Sequence, residues 1–149
     1  MRRGFAFSGT WTVAAPPARV HEVLVDLERY PEWWPQVVAV ASLGPDDARV
    51  LCRSSLPYTL DLRLHAVLRT PELLEVSLRG DLEGTVAWRL TDLGGQTRLD
   101  LEQHVTVGGW LAVASLVAAP VLRWNHARMM TGCVTGLRGA LVPTGSSDG

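Results

Sequence analysis

The chain has 149 residues, 47% hydrophobic and 19% charged, with a formal net charge of −1 at pH 7. That length suits a single domain with a sizeable core, and the composition excludes a disordered chain. The near-neutral balance lacks the basic footprint of a nucleic-acid binder, so no nucleic-acid partner is expected.

In chain order, residues 1–9 carry two arginines but no apolar run of the kind an export signal requires. Phe5, Phe7, Trp11 and Val13 alternate with Ala6, Ser8, Thr10 and Thr12, the period of a half-buried first strand. Ala15-Pro16-Pro17 stops it. Val20, Val23, Leu24 and Leu27 then fall at helical spacing, and Pro17 suits a first helical turn. Residues 26–35 are dense in aromatics and close on Trp33-Trp34-Pro35, which predicts a second short helix ending before the proline.

From Val37 to Val107 six strands are expected, separated by turn signals such as Gly44-Pro45-Asp46-Asp47, Thr70-Pro71 and Gly94-Gly95. Tyr58, Leu60, Leu62, Leu64 and Leu68 define the inward face of one, set against outward Asp61, Arg63, His65 and Arg69. Val86, Trp88 and Leu90 line another, and Leu99, Leu101, Val105 and Val107 the last. Asp61, Glu75, Asp100 and Glu102, interleaved with arginines, read as a solvated outer face with cross-strand charge pairing. Short loops favour antiparallel hairpins.

After Gly108-Gly109 the period changes, and one long helix bent at Pro120 is predicted to about Leu141. Leu111, Ser115, Ala119, Leu122, His126, Met129, Met130, Cys133, Leu137 and Ala140 share one face; Trp124, Arg128, Thr131, Thr135 and Arg138 occupy the other. Residues 110–122 are the most apolar run but fall short of the roughly 20 residues a membrane span needs, so no transmembrane segment is expected. Cys52 and Cys133 have no metal or redox spacing and read as free thiols in a reducing cytoplasm. Residues 1–142 are expected to form the domain, and 143–149, rich in Gly and Ser, a loose tail.

Residues 17–35, PARVHEVLVDLERYPEWWP, resemble the opening of the START-like, polyketide cyclase/dehydrase and lipid-transport superfamily, also called SRPBCC. Further points of similarity are Gly80-Asp81-Leu82-Glu83-Gly84, Val86-Ala87-Trp88-Arg89-Leu90, Gly94-Gly95-Gln96-Thr97-Arg98 and the long terminal helix. The resemblance implies an α+β helix-grip fold: a curved seven-stranded antiparallel sheet, two short helices and a long C-terminal helix closing an apolar cavity. It implies ligands such as lipids, quinones or polyketides, and no single reaction.

His126 places an ionisable ring at the centre of the otherwise apolar inward helix face. It could bind or protonate a ligand oxygen as a catalytic acid or base, or be a core histidine paired to a neighbour. Gln103 takes inward parity between Leu101 and Val105, offering an amide to a ligand or to the core. Asn125 lies at the edge of the helix face, near the pocket mouth or in solvent. Trp33, Trp34, Tyr58 and Trp88 supply flat surfaces for stacking, and Leu122, Met129, Met130 and Cys133 apolar walls, each of which could equally be plain packing. Four scattered histidines, with no phosphate loop or paired inward carboxylates, suggest neither metal nor cofactor.

Three functions follow: binding of a small hydrophobic or aromatic ligand, a polyketide cyclase or dehydratase-like enzyme using His126, and a protein or membrane interaction domain presenting Trp110 and Trp124. The last allows a homodimer.

Overall fold

The computed structural model describes residues 2–53 and 59–141, and the side chains of these except at 2–3, 107–119 and 121–122. Tyr58 and the tail 143–149 therefore lie outside the described residues, as do the side chains of Trp110, Leu111, Ser115, Ala119 and Leu122. The elements are β1 (Arg2–Val13), α1 (Pro17–Val25), a 3-10 turn (Leu27–Arg29), α2 (Tyr30–Trp33), β2 (Val37–Ser42), β3 (Asp47–Arg53), β4 (Thr59–Arg69), β5 (Leu73–Gly80), β6 (Glu83–Asp92), β7 (Thr97–Gly108) and α3 (Gly109–Ala140).

Local chemistry sets these boundaries. Pro17 supplies the fixed φ of a first helical residue, and Val20 and Leu24, four apart, bury the inner face of α1. Trp34, which precedes Pro35, turns extended (φ −112, ψ 103) and ends α2. Gly94 and Gly95 both take positive φ, 81° and 89°, in the β6–β7 turn, and only glycine does so freely at two successive positions. Helix α3 runs on unbroken through Pro120.

The seven strands form one antiparallel sheet in the order β1-β7-β6-β5-β4-β3-β2, so β2 to β7 meander and β1 returns beside β7. Paired residues share a face. Phe7, Gln103 and Val86 are thus aligned across β1, β7 and β6, as are Trp88, Leu101 and Leu74 across β6, β7 and β5.

Two registers depart from simple alternation, between Val37 and Ala39 in β2 and between Ala66 and Leu68 in β4, and the second bears on the site. A bulge in β4 between Ala66 and Leu68 takes up one extra residue, so Leu68 pairs with Glu75 and Arg69 with the inward Leu74. The predicted faces of Leu68 and Arg69 are therefore exchanged. Leu68 is 40% exposed, and Arg69 turns to the concave side.

The concave face carries α3. At its C-terminal half Cys133, Val134 and Leu137 are buried, and Leu137 packs with Val13, Val20, Leu24, Leu90 and Leu99 into a closed core. Arg138 donates to the Thr12 carbonyl at 3.0 Å and Thr97 to the Ala15 carbonyl at 2.7 Å, tying the helix end and the β1–α1 connection to the sheet. Thr131 and Thr135 point outward as the helical period predicts, Arg138 is exposed while reaching the edge of β1, and Trp124, 51% exposed, lies under the Arg128 guanidinium. On the convex face Arg49 grips Asp61 with two bonds of 3.0 and 2.6 Å. This holds the Asp61 carboxyl below its ordinary pKa.

Candidate functional site

Toward the middle of α3 the packing opens into a cavity of about 380 Å³ between helix and sheet, within the ~300–1,000 Å³ of small-molecule sites. Its walls are mostly aliphatic and aromatic: Phe5 and Phe7 from β1, Leu62 and Leu64 from β4, Val86 and Trp88 from β6. Strand parity puts them there, because every second residue of each strand faces the helix. Residues 24–28 border the cavity on one side, and residues 44–47 with Arg69 on another.

The segment between α1 and β2 is seated on α3 through glycines. A Cβ on Gly136 would collide with the Trp33 carbonyl oxygen, and one on Gly132 with the Gln36 side chain. This close approach lays Trp34 against the cavity, where its indole N–H donates to the Met129 carbonyl at 3.1 Å. Tyr30 closes the same wall, its hydroxyl donating to the Leu24 carbonyl, and burial pushes that phenol's pKa up.

The carboxylates Asp26, Glu28, Asp46, Asp47 and Glu75 stand among the bordering residues, and from α3 and β7 the described polar groups are Asn125, His126 and Gln103. His126 Nε2 and Gln103 Oε1 lie 2.9 Å apart, and the imidazole stacks on Phe7 at 3.8 Å between centroids and 15° between planes. Burial lowers the His126 pKa to about 4, so the ring is neutral at pH 7; Nε2 then carries the proton and donates to Gln103. Asn125 is buried, 6% exposed, rather than at the mouth or in solvent, because α3 lies close enough to the sheet to enclose that edge of its inner face. Its Oδ1 reaches neither solvent nor a donor among the described residues. Arg69 is the one cation among the described cavity residues. It binds Asp46 Oδ1 at 2.9 Å and the Pro45 carbonyl at 2.8 Å, which leaves three of its five N–H donors unpartnered among the described residues.

Of the residues singled out from sequence, Trp34, Trp88, Gln103, Asn125, His126, Met129 and Met130 meet at this cavity. Trp33 and Cys133 do not line it. Trp33 is drawn to the far side of Trp34 by its backbone contact with Gly136, and Cys133, 1% exposed, packs with Leu101 and Met130 one turn beyond the cavity. Many lining residues were not singled out as site residues, among them Phe5, Phe7, Tyr30, Leu82 and Arg69. Tyr30 stood in the aromatic segment and Leu82 in the middle of its glycine-bounded turn, both visible signals; Arg69 had none, since nothing in the sequence marks the bulge. Both thiols are chemically quiet: burial pushes Cys52 up to about 11 and Cys133 up to about 12. No group of three His, Cys, Asp or Glu among the described residues could hold a metal, and none of their helices is long and apolar enough to cross a membrane.

The family model described as polyketide cyclase / dehydrase and lipid transport matches residues 5–141. Among solved structures, the chain is similar to the Zhui aromatase/cyclase from Streptomyces sp. R1128, with a TM-score of 0.77 and 19% identity over 97% of this chain and 99% of that one. It is also similar to a START superfamily protein from Mycobacterium smegmatis, with a TM-score of 0.77 and 18% identity over 91% and 96% of the two chains. A protein from Thermus thermophilus superposes with a TM-score of 0.81 at 14% identity, over 93% of this chain and 97% of that one. At these identities the likeness establishes the helix-grip fold alone. Among curated proteins none matches the sequence.

Proposed function

The chain belongs to the polyketide cyclase/dehydrase and lipid transport family, and we propose that it binds one small hydrophobic or aromatic molecule in the cavity between sheet and α3. The observation that carries this reading is the cavity itself: about 380 Å³ of space walled by apolar side chains, where a collapsed core would otherwise stand. Apolar surface left unfilled forfeits dispersion contacts that a ligand of matching shape restores.

Arg69 gives the ligand a direction. A guanidinium with free donors at the rim of an apolar chamber suits a molecule whose body is buried and whose carboxylate, phosphate or enolate-like oxygen meets the arginine. A thermal-shift and native mass-spectrometry screen against fatty acids, quinones and aromatic polyketides tests the reading. One bound molecule per chain with a raised Tm is the expected result. Failure of every class to bind overturns it.

A second reading, a cyclase or dehydratase-like enzyme, is favoured by the His126–Gln103 pair facing the same chamber. The amide would hold a ligand oxygen while the neutral imidazole accepts a proton at Nδ1. With its pKa near 4, His126 is a weak base at pH 7, which places this reading second. Turnover of a poly-ketone mimic that survives His126→Ala unchanged removes it.

A further inference from the structure

Asn125 stands apart from the other polar groups of the cavity. His126 Nε2 and Gln103 Oε1 pair with each other, Trp34 and Tyr30 donate to backbone carbonyls, and Arg69 has Asp46. Asn125 is 6% exposed and lies on the cavity wall, and among the described residues its Oδ1, closed off from solvent, has no hydrogen-bond partner. A buried carbonyl oxygen without a donor is rare in folded proteins, because its hydration is lost and nothing replaces it.

Resting on the cavity reading above, we infer that the ligand carries a hydroxyl or N–H donor on its apolar body and gives that hydrogen to Asn125 Oδ1. The ligand class is thus a phenol, alcohol or heteroaromatic N–H compound rather than a plain hydrocarbon or a quinone. In the empty chain Oδ1 is closed off from the chamber as it is from bulk water, so the amide has to turn its oxygen toward an arriving donor, which the broad terminal torsion of asparagine allows within one side-chain rotamer. The recognition is steep because the oxygen already stands unpaired and sealed in the empty chain: a ligand with a donor recovers that cost, and an analogue without one leaves it in place.

The experiment compares 2-naphthol with 2-methylnaphthalene, alike in shape but differing in the donor, by quenching of tryptophan fluorescence. Dissociation constants are measured for the native chain, Asn125→Leu and Asn125→Ala, with folding verified by circular dichroism. The native chain is expected to prefer 2-naphthol at least tenfold beyond the ratio set by their partition from water, and both variants to lose that preference. Equal partition-corrected binding by the native chain overturns the inference and leaves the cavity reading intact, as does a preference that persists in the variants. If neither probe binds the native chain the inference is overturned too, while the cavity reading stands or falls with the wider screen of ligand classes.

Discussion

The Trp33 carbonyl oxygen occupies the space in which a Cβ on Gly136 would stand. Backbone meets backbone there, and neither side can swing away as a flexible side chain could. Gly136→Ala is expected to destabilise the fold by about 2–3 kcal/mol, the upper range for overpacking, read from urea unfolding. Gly139→Ala, at a position with open space around it, is the control and should be neutral or stabilising by up to ~1 kcal/mol. Similar behaviour of the two would contradict the seat assigned to α2 on α3.

His126 ties stability to pH. Its folded pKa, lowered by burial to about 4, lies below the 6.5 of an exposed histidine, so the unfolded chain binds more protons between those values. The stability it contributes is complete above pH 6.5 and is lost as pH falls toward 4. Discounted for its partial exposure, the effect is about 1–2 kcal/mol. Urea titrations at pH 7.5 and 4.5 should show a smaller acid loss for His126→Gln than for the native chain, by that amount.

Both cysteines should resist labelling. With thiol pKa values raised to about 11 for Cys52 and about 12 for Cys133, almost no thiolate exists at pH 8, and both side chains are buried. Maleimide is expected to modify neither in the native chain and both after unfolding in urea. Rapid native labelling of Cys52, which borders the cavity, would mean that the chamber opens far more widely than its walls suggest.

Arg69 is expected to sort ligands by head group. Arg69→Gln removes the cation but leaves donors, so a long-chain fatty acid should bind about tenfold more weakly and the matching alcohol nearly unchanged, as isothermal titration would report. The same loss for both would assign Arg69 a structural role through Asp46 and Pro45.

Much of this arrangement is legible before any coordinates. The alternation of Phe5, Phe7, Trp11 and Val13 and the stripe Val86, Trp88 and Leu90 each define one inward face, and period two admits no other answer. The helical spacing of His126, Met129, Met130 and Cys133 puts them on the sheet side of α3, where they are found. What escapes the sequence is distance. Whether His126 meets Gln103 depends on how deeply α3 rides on β7, and whether Trp33 or Trp34 reaches the chamber depends on the approach allowed by Gly132 and Gly136. The bulge at residue 67 escapes for another reason. One unpaired residue reverses the faces of Leu68 and Arg69 with no change in composition to mark it.

The cavity as a binding site is tested most directly by filling it. Val86 lies on its wall, aligned with Gln103, and a tryptophan there would occupy the chamber. Native mass spectrometry of the native chain and Val86→Trp with 1-anilinonaphthalene-8-sulfonate, an aromatic body with an anionic head, compares open with filled. One probe per native chain, weakened at least tenfold in a folded Val86→Trp, is the predicted result. Equal binding by the two chains would place the probe elsewhere and contradict the account.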